Sequence, residues 1–341
     1  MEKILGLAIK YLIFFIYRVN PIWWYQMANK NISSDKFGLA LSYLLLGEFS
    51  GLALDISAKY ILQEYSLIQF IFVRSLLATI IFLIICPWYG GLQSMKTKKW
   101  KWHLLRAFLS IIAMFGFFYG ISRMPLVNAV TIVYIAPIIV TALSTTLLNE
   151  KVGWPRWIAV IAGFSGALII LRPGEGSNIE ASLAVFASAI GFALLAITAR
   201  KMAKTESIIA MSVYVLIGPM IASMFFLPNN YIAPDGSDWL IFLFAGVASV
   251  FTWIGYINAY KRYSPVSLAP FEYLALIGAA IAGYYLWNEV PDKFVLIGAS
   301  IIIGSGIFIA RREIGKSQST SYIRGFRSSG VNNMIRRLKK K

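Results

Sequence analysis

The sequence predicts an all-α integral membrane protein with ten transmembrane helices, arranged as two inverted five-helix repeats. Three observations predict this fold: the length of the apolar blocks, the side on which basic residues gather, and a weak internal repeat. Of the 341 residues, 58% are hydrophobic and only 14% are charged, a balance more apolar than that of soluble domains. Such a composition indicates that most of the chain meets lipid.

The apolar residues fall in blocks of roughly 20, the length that crosses about 30 Å of hydrocarbon at about 1.5 Å per residue. The breaks between blocks hold turn residues and charges, such as Pro87 followed by Gly90 and Gly91. The ten predicted spans, numbered 1 to 10, are 38–58, 67–86, 102–122, 127–148, 156–171, 181–199, 208–227, 239–259, 266–286 and 294–310.

The formal net charge of +17 comes from basic residues in alternate loops and in the two tails. The richer side holds Lys96, Lys98, Lys99, Lys101, Lys151, Arg156, Arg200, Lys201, Lys204, Lys261 and Arg262. The positive-inside rule therefore predicts a bacterial inner-membrane protein with both termini in the cytoplasm. Because these residues do not form a soluble basic face, we expect no nucleic-acid partner.

Residues outside the ten spans form two further segments. In residues 1–36, Lys3, Lys10 and Arg18 gather on one helical face, and Trp23 and Trp24 suit the headgroup region. This pattern predicts an N-terminal interfacial amphipathic segment; a signal peptide is the alternative, although no small-residue cleavage site follows the apolar run. Residues 314–341 are predicted to be a basic cytoplasmic tail that meets anionic lipid.

The internal repeat appears when the chain is aligned with itself. An offset of 141 pairs Ser66 with Ser207, and an offset of 139 pairs Tyr134-Ile135-Ala136 with Tyr273-Leu274-Ala275. The repeats are predicted over 37–172 and 180–313. Since each has five spans, the second must enter the membrane from the opposite side. Inverted repeats are typical of alternating-access carriers, with the substrate site between the repeats near the midplane.

Four stretches resemble the EamA-type members of the drug/metabolite transporter superfamily across roughly residues 37–313: Phe70–Ala78, Pro125–Glu150, Gly163–Gly166 and Ala269–Gly298. The last is most similar to subgroups that include S-adenosylmethionine and riboflavin carriers. Those subgroups often place a carboxylate two residues after the tyrosine, whereas here Tyr273 is followed by Leu274-Ala275 and the acid is Glu272. The resemblance implies a central cavity between spans 1, 3, 4, 6, 8 and 9, with spans 5 and 10 outside.

Charged residues inside spans are costly and mark candidate functional positions. Glu48 can exchange a proton or hold a cationic group of a substrate; its alternative role is a structural partner of Arg74. Arg74 can meet a carboxylate or phosphate. Glu272 is the second candidate coupling acid. Asp55, four residues before Lys59, is interpreted as half of a local ion pair, with Lys59 as a gate candidate.

Aromatic and amide side chains add candidates for ligand contact, with core packing as the alternative for each. They are Tyr119, Asn128, Tyr134, Trp253, Tyr256, Asn258 and Tyr273, of which the repeat places Tyr134 and Tyr273 together. Pro137 and Pro270 interrupt spans 4 and 9, as is typical of cavity-lining helices. Glu150 and Glu289 end these two spans and are predicted to cap spans 5 and 10.

These features predict a secondary active transporter for a small organic metabolite, with proton coupling through Glu48 or Glu272 as a hypothesis. S-adenosylmethionine, riboflavin and amino-acid-like metabolites are the candidate substrates that the resemblance implies. No cofactor or metal is expected, since His103 is the only histidine and Cys86 the only cysteine. The alternatives are a membrane-embedded enzyme acting on lipid-linked substrates, and a channel or receptor. The scattered carboxylates offer no catalytic cluster for the enzyme.

Overall fold

A computed structural model describes residues 34–147, 154–171, 178–263 and 265–308. The predicted interfacial segment, apart from residues 34–36, and the basic tail from residue 314 lie outside these ranges, as does Glu150. Within them, every regular element is helical. The helices are α1 Ser34–Ile61, α2 Leu67–Ile85, α3 Trp100–Arg123, α4 Leu126–Val133, α5 Ala136–Leu147, α6 Trp154–Leu171, α7 Ile179–Met202, α8 Ile208–Met224, α9 Gly236–Arg262, α10 Pro265–Glu272, α11 Leu274–Trp287 and α12 Lys293–Phe308.

The ten-span prediction is confirmed. Six segments are long and apolar enough to cross a membrane by length and composition: Phe37–Ile61, Leu67–Tyr89, Trp100–Arg123, Leu126–Leu143, Ile179–Met202 and Gly236–Arg262. Shorter apolar helices at Trp157–Ile170, Ile208–Met224, Leu274–Trp287 and Lys293–Phe308 fill the remaining four positions. Helices α4 and α5 together make span 4, and α10 and α11 together make span 9. Short 3₁₀ turns follow α2 and α8, at Cys86–Tyr89, Gly91–Met95 and Leu227–Asn229.

Equivalent serines begin the second span of each repeat. The Ser66 side chain accepts a hydrogen bond from the Gln69 amide at 3.1 Å, and Ser207 accepts one from the Ala210 amide at 2.9 Å. Both serines have extended backbone, as N-caps require. Each therefore satisfies one of the amides that the first helical turn leaves unpaired.

The repeats pack against each other through equivalent glycines. A Cβ at Gly116 of α3 would overlap the Ala184 carbonyl oxygen of α7, and one at Gly255 of α9 would lie 2.6 Å from the Tyr43 carbonyl oxygen of α1. Tyr43 and Ala184 differ by the offset of 141, and Gly116 and Gly255 by 139. The same close approach therefore occurs twice. In one contact the glycine belongs to the first repeat, and in the other it belongs to the second, as the two-repeat architecture requires. Small residues are what allow membrane helices to approach this closely.

Spans 4 and 9 are both interrupted, and at equivalent tyrosines. Tyr134 and Ile135 form a turn between α4 and α5, and Tyr273 forms one between α10 and α11. In span 4 the cause is local, because Pro137 has no amide hydrogen for the Val133 carbonyl and disfavours helical backbone at the preceding residue. The two rings meet edge to face, with centroids 5.5 Å apart. The two broken helices therefore contact each other at their interruptions.

Candidate functional site

A cavity lies between the two repeats, and its described lining comes from α1, α2, α3, α4, α5, α7, α9, α10 and α11. Spans 1, 3, 4, 6, 8 and 9 thus contribute to its wall, as the sequence resemblance implies, and no described lining residue belongs to α6 or α12. Span 2 adds Arg74 to this set. Six of the predicted site residues line the cavity: Glu48, Arg74, Tyr134, Trp253, Tyr256 and Glu272.

One side of the cavity carries two buried carboxylates, from different repeats. The Glu48 side chain is on α1, and the Tyr134 hydroxyl donates a hydrogen bond to its Oε2 at 3.2 Å. Glu272 is on α10, and the Tyr260 hydroxyl donates to its Oε1 at 3.0 Å. Tyr256 stacks on Tyr260 with ring centroids 5.9 Å apart. Across the described ranges, neither acid has a basic partner within ion-pair distance, so this side can accept a proton or a cationic group.

Arg74 occupies the cavity wall on α2 and does not hydrogen-bond to Glu48, its expected structural partner. Its guanidinium group donates to Ser249 Oγ at 3.0 Å and to Met114 Sδ at 2.8 Å. It also lies 5.3 Å from the centre of the Phe118 ring. The acid that attracts it electrostatically is Asp55.

Asp55 itself lines the cavity and was not among the predicted site residues. The sequence interpretation paired it with Lys59, but Lys59 instead forms an ion pair with Glu289 of the other repeat. A signal was present in the sequence, because Asp55 follows Glu48 by seven residues and therefore shares its face of α1.

Arg106 is the second cavity residue that the sequence analysis missed. It is fully buried on α3, and one guanidinium nitrogen donates to the Leu195 carbonyl at 2.8 Å and to Thr198 Oγ1 at 2.9 Å. Its Nε and Nη2 have no hydrogen-bond partner. The available signal was simply an arginine within predicted span 3, which lipid does not tolerate at low cost.

Four predicted residues lie outside the lining. The Tyr119 ring is covered by the Arg123 guanidinium at 5.3 Å. Asn258 lies two residues beyond Tyr256 and therefore on the opposite face of α9. Its side-chain amide donates to the Ile254 carbonyl at 2.9 Å. Asn128 is half-buried on α4, and Tyr273 packs behind Tyr134 with a buried hydroxyl that has no partner.

At the end of the molecule that holds Lys59, polar contacts join the two repeats. Glu289 accepts from Lys59 and, through Oε2, from the Leu126 amide at 2.8 Å. The Lys59 ammonium also donates to the Met124 carbonyl at 3.2 Å. Glu289 therefore caps α4 of the first repeat, whereas the sequence analysis expected it to cap span 10; a carboxylate suits this helix N-terminus because the amides there are unpaired.

The opposite end holds Arg200, which the repeat aligns with Lys59. Here the Arg200 guanidinium donates to the Tyr260 carbonyl at 3.0 Å. Beside it, His103 and Glu206 meet at 3.0 Å, and the Lys261 ammonium donates to the Glu206 carbonyl at 2.9 Å. The two ends of the molecule therefore use equivalent basic residues in different contacts.

Comparison with known proteins places these features in a family. The EamA-like transporter family matches residues 38–172 and again residues 180–311. The chain is 31% identical over 284 residues to an S-adenosylmethionine uptake transporter of Rickettsia bellii, covering 83% of this chain and 97% of the relative. It is 29% identical over 264 residues to a riboflavin transporter of Vibrio cholerae, covering 75% and 89% of the two chains. A pseudopaline exporter of Pseudomonas aeruginosa is 23% identical over 252 residues, covering 72% and 87%.

One solved crystal structure aligns with a TM-score of 0.61 at 17% identity, covering 81% of this chain and 97% of that one. At this identity the likeness concerns the fold alone. The family match, by contrast, spans both five-helix repeats and thus most of the chain. The chain therefore belongs to the EamA-like transporter family, and it is a multi-pass membrane transporter rather than an enzyme.

Proposed function

We propose that this protein is a secondary active transporter that moves a small organic metabolite across the bacterial inner membrane by alternating access, with both termini in the cytoplasm. The observation that carries the proposal is the cavity between the repeats, lined by both of them and bordered by the two broken helices. A site at a repeat interface becomes accessible from either side when one repeat tilts against the other. The basic residues of 1–36 and 314–341 would then face anionic lipid of the cytoplasmic leaflet.

S-adenosylmethionine is the first substrate to test, and riboflavin the second. Relatives that carry these names are similar to this chain over most of its length. The cavity wall combines Tyr134, Trp253 and Tyr256 with the carboxylates of Glu48 and Glu272. Aromatic rings stack on flat heterocycles, and carboxylates hold cationic groups. S-adenosylmethionine has both features, whereas riboflavin has the flat ring without a positive charge.

Proton coupling through Glu48 or Glu272 is part of the proposal. Two buried acids without a described basic partner need neutralisation by a proton or by a cationic group of the substrate. If the proton and the substrate compete for the same carboxylates, release of one accompanies uptake of the other. Such competition couples the proton gradient to transport.

The test is uptake of radiolabelled S-adenosylmethionine into proteoliposomes, with and without an imposed proton gradient. We expect saturable uptake that the gradient changes, and uptake by Glu48→Gln and Glu272→Gln that no longer responds to it. The exposed Glu180, changed to Gln in the same way, is the matched control and is expected to behave as the unmodified protein. If the proton gradient does not change uptake by the unmodified protein or by any variant, proton coupling is excluded. Sustained single-channel currents would exclude a carrier altogether.

A further inference from the structure

Arg106 is a buried cation in the cavity wall without a counter-charge in the part of the chain that the structure describes. Its side chain is 0% exposed, and its partners are a carbonyl and a hydroxyl of α7. Its Nε and Nη2 donate to nothing. One turn earlier, His103 meets Glu206 at 3.0 Å, and neither side chain is a hydrogen-bond partner of Arg106. A cation buried at membrane depth is costly unless something pairs with it.

Arg74 provides the contrast within the same cavity. It is as deeply buried as Arg106, at 1% exposed, but Asp55 attracts it across the cavity. No ion pair or hydrogen bond joins the two side chains in the described ranges, but this attraction lowers the cost of burying the Arg74 charge. Arg106 has no such acid in the described ranges, and two nitrogens of its planar guanidinium have no hydrogen-bond partner there although both are enclosed in the cavity wall.

The acids of the cavity show the complementary imbalance. Glu48 and Glu272 accept hydrogen bonds from Tyr134 and Tyr260, and no described lysine or arginine forms an ion pair with either. Of the charged groups that line the cavity, Arg74 and Asp55 attract each other. No described acid attracts Arg106, and no described cation attracts Glu48 or Glu272. A ligand that balances both must carry an anionic and a cationic group on one molecule.

We propose that Arg106 binds the anionic group of the substrate, a carboxylate, while Glu48 and Glu272 hold its cationic group. The proposal rests on the proposed function, because it takes the cavity as the substrate site. It adds a residue that the sequence analysis did not single out, and it states the charge pattern that a substrate must have. Neutral molecules of similar size are then poorer ligands.

The experiment compares two ligands that differ only in the carboxylate: S-adenosylmethionine and decarboxylated S-adenosylmethionine. Binding of each is measured on purified protein by displacement of labelled S-adenosylmethionine and by thermal stabilisation. We expect the unmodified protein to prefer the carboxylated ligand by at least about tenfold, and Arg106→Gln to bind both alike. Arg106→Lys keeps the charge without the fork of donors and is expected to retain part of the preference. Arg123→Gln, at the far end of the same helix, is the matched control.

A second probe does not depend on the identity of the substrate. Sodium acetate, titrated at constant ionic strength, is expected to raise the thermal unfolding midpoint of the unmodified protein and of Arg123→Gln, but not that of Arg106→Gln. If Arg106→Gln does not fold, the comparison of the unmodified protein with Arg106→Lys decides. A full preference for the carboxylate retained in the Arg106 variants overturns the proposal, as does an acetate response that is absent from the unmodified protein or equal in all proteins.

The two proposals can fail separately. Uptake of S-adenosylmethionine that persists in Arg106→Gln with unchanged preference leaves the transport function standing and removes the anion site. An acetate response that depends on Arg106, in a protein that takes up no S-adenosylmethionine, retains the anion site and refutes that substrate.

Discussion

The two repeats are alike in backbone but differ in the chemistry that they bring to the cavity. Glycine contacts, serine caps and interrupted spans occur in both at equivalent positions. The charged residues of the cavity do not: at the offsets of the repeat, Glu48, Asp55, Arg74, Arg106 and Glu272 align with Ala189, Ala196, Val215, Ala245 and Val133. In the proposed alternating-access mechanism, the shared backbone would serve the exchange between two access states, which needs equivalent halves, whereas one substrate site needs only one set of charges.

The largest effect that tests this comparison concerns Asp55 and Arg74. We expect Arg74→Val to lower the free energy of unfolding by about 3 to 5 kcal/mol, because the buried guanidinium loses its contacts with Ser249 and Met114 and the half-buried Asp55 loses the cation that attracts it. The double variant Asp55→Ala with Arg74→Val reproduces the Ala196 and Val215 of the second repeat and is expected to recover most of that loss. Thermal and denaturant unfolding in detergent micelles measures both. A double variant as unstable as the single one contradicts the assignment of a charge pair.

The symmetric glycines are expected to behave alike. Gly116→Ala and Gly255→Ala each place a methyl group against backbone of the other repeat, and each should cost up to about 3 kcal/mol of stability. Gly304→Ala is the control, because no atom lies within 4 Å of the added Cβ. The same unfolding measurement applies. If one substitution is tolerated and the other is not, the two glycine contacts are not equivalent and the prediction is wrong.

The equivalent tyrosines are expected to differ, because within the described ranges Tyr134 has a hydrogen-bond partner and Tyr273 has none. Tyr134→Phe removes the donor to Glu48 and should cost about 1.5 kcal/mol, together with slower uptake. Tyr273→Phe removes a buried hydroxyl that has no partner and should be neutral or stabilising. Melting temperature and initial uptake rate of each variant give the comparison. Equal losses at both positions would show that the tyrosines share one role.

The smallest expected effect concerns the two ends of the molecule. Lys59→Met removes the ion pair with Glu289 and should make the Lys59 end open more often, by about fivefold or about 1 kcal/mol. A cavity cysteine, Thr252→Cys with Cys86→Ser, reports this opening through its labelling by a membrane-impermeant thiol reagent from that side. The exposed Lys293→Met is the control at the same end. Arg200→Met should not speed labelling from the Lys59 side, and equal acceleration by both variants would contradict a separate closure at each end.

Much of the architecture could be predicted because the bilayer imposes length and sidedness on the chain. The ten spans follow from apolar length, and the interruption of span 4 follows from Pro137. The cavity residues were harder to assign, since α1 has almost no preferred apolar face and its pattern does not indicate which face turns inward. Asp55 of α1 was therefore left out of the predicted site. Arg106 was left out although its charge within span 3 marked it, and Asn258 was included although it lies on the face of α9 opposite Tyr256.

The sequence by itself determined the spans, the repeat and the pairing of Tyr134 with Tyr273, because these depend on local composition and on positions at a constant offset. The break in span 9 was predicted at Pro270, but it lies at Tyr273. Only the tertiary structure decided which charges meet. Glu289 pairs with Lys59 across 230 residues of chain, and among the described residues Arg106 has no counter-charge although a histidine–glutamate pair lies one turn away. Partners of this kind are set by how the two repeats pack in three dimensions, and neither periodicity nor spacing along the chain records that packing.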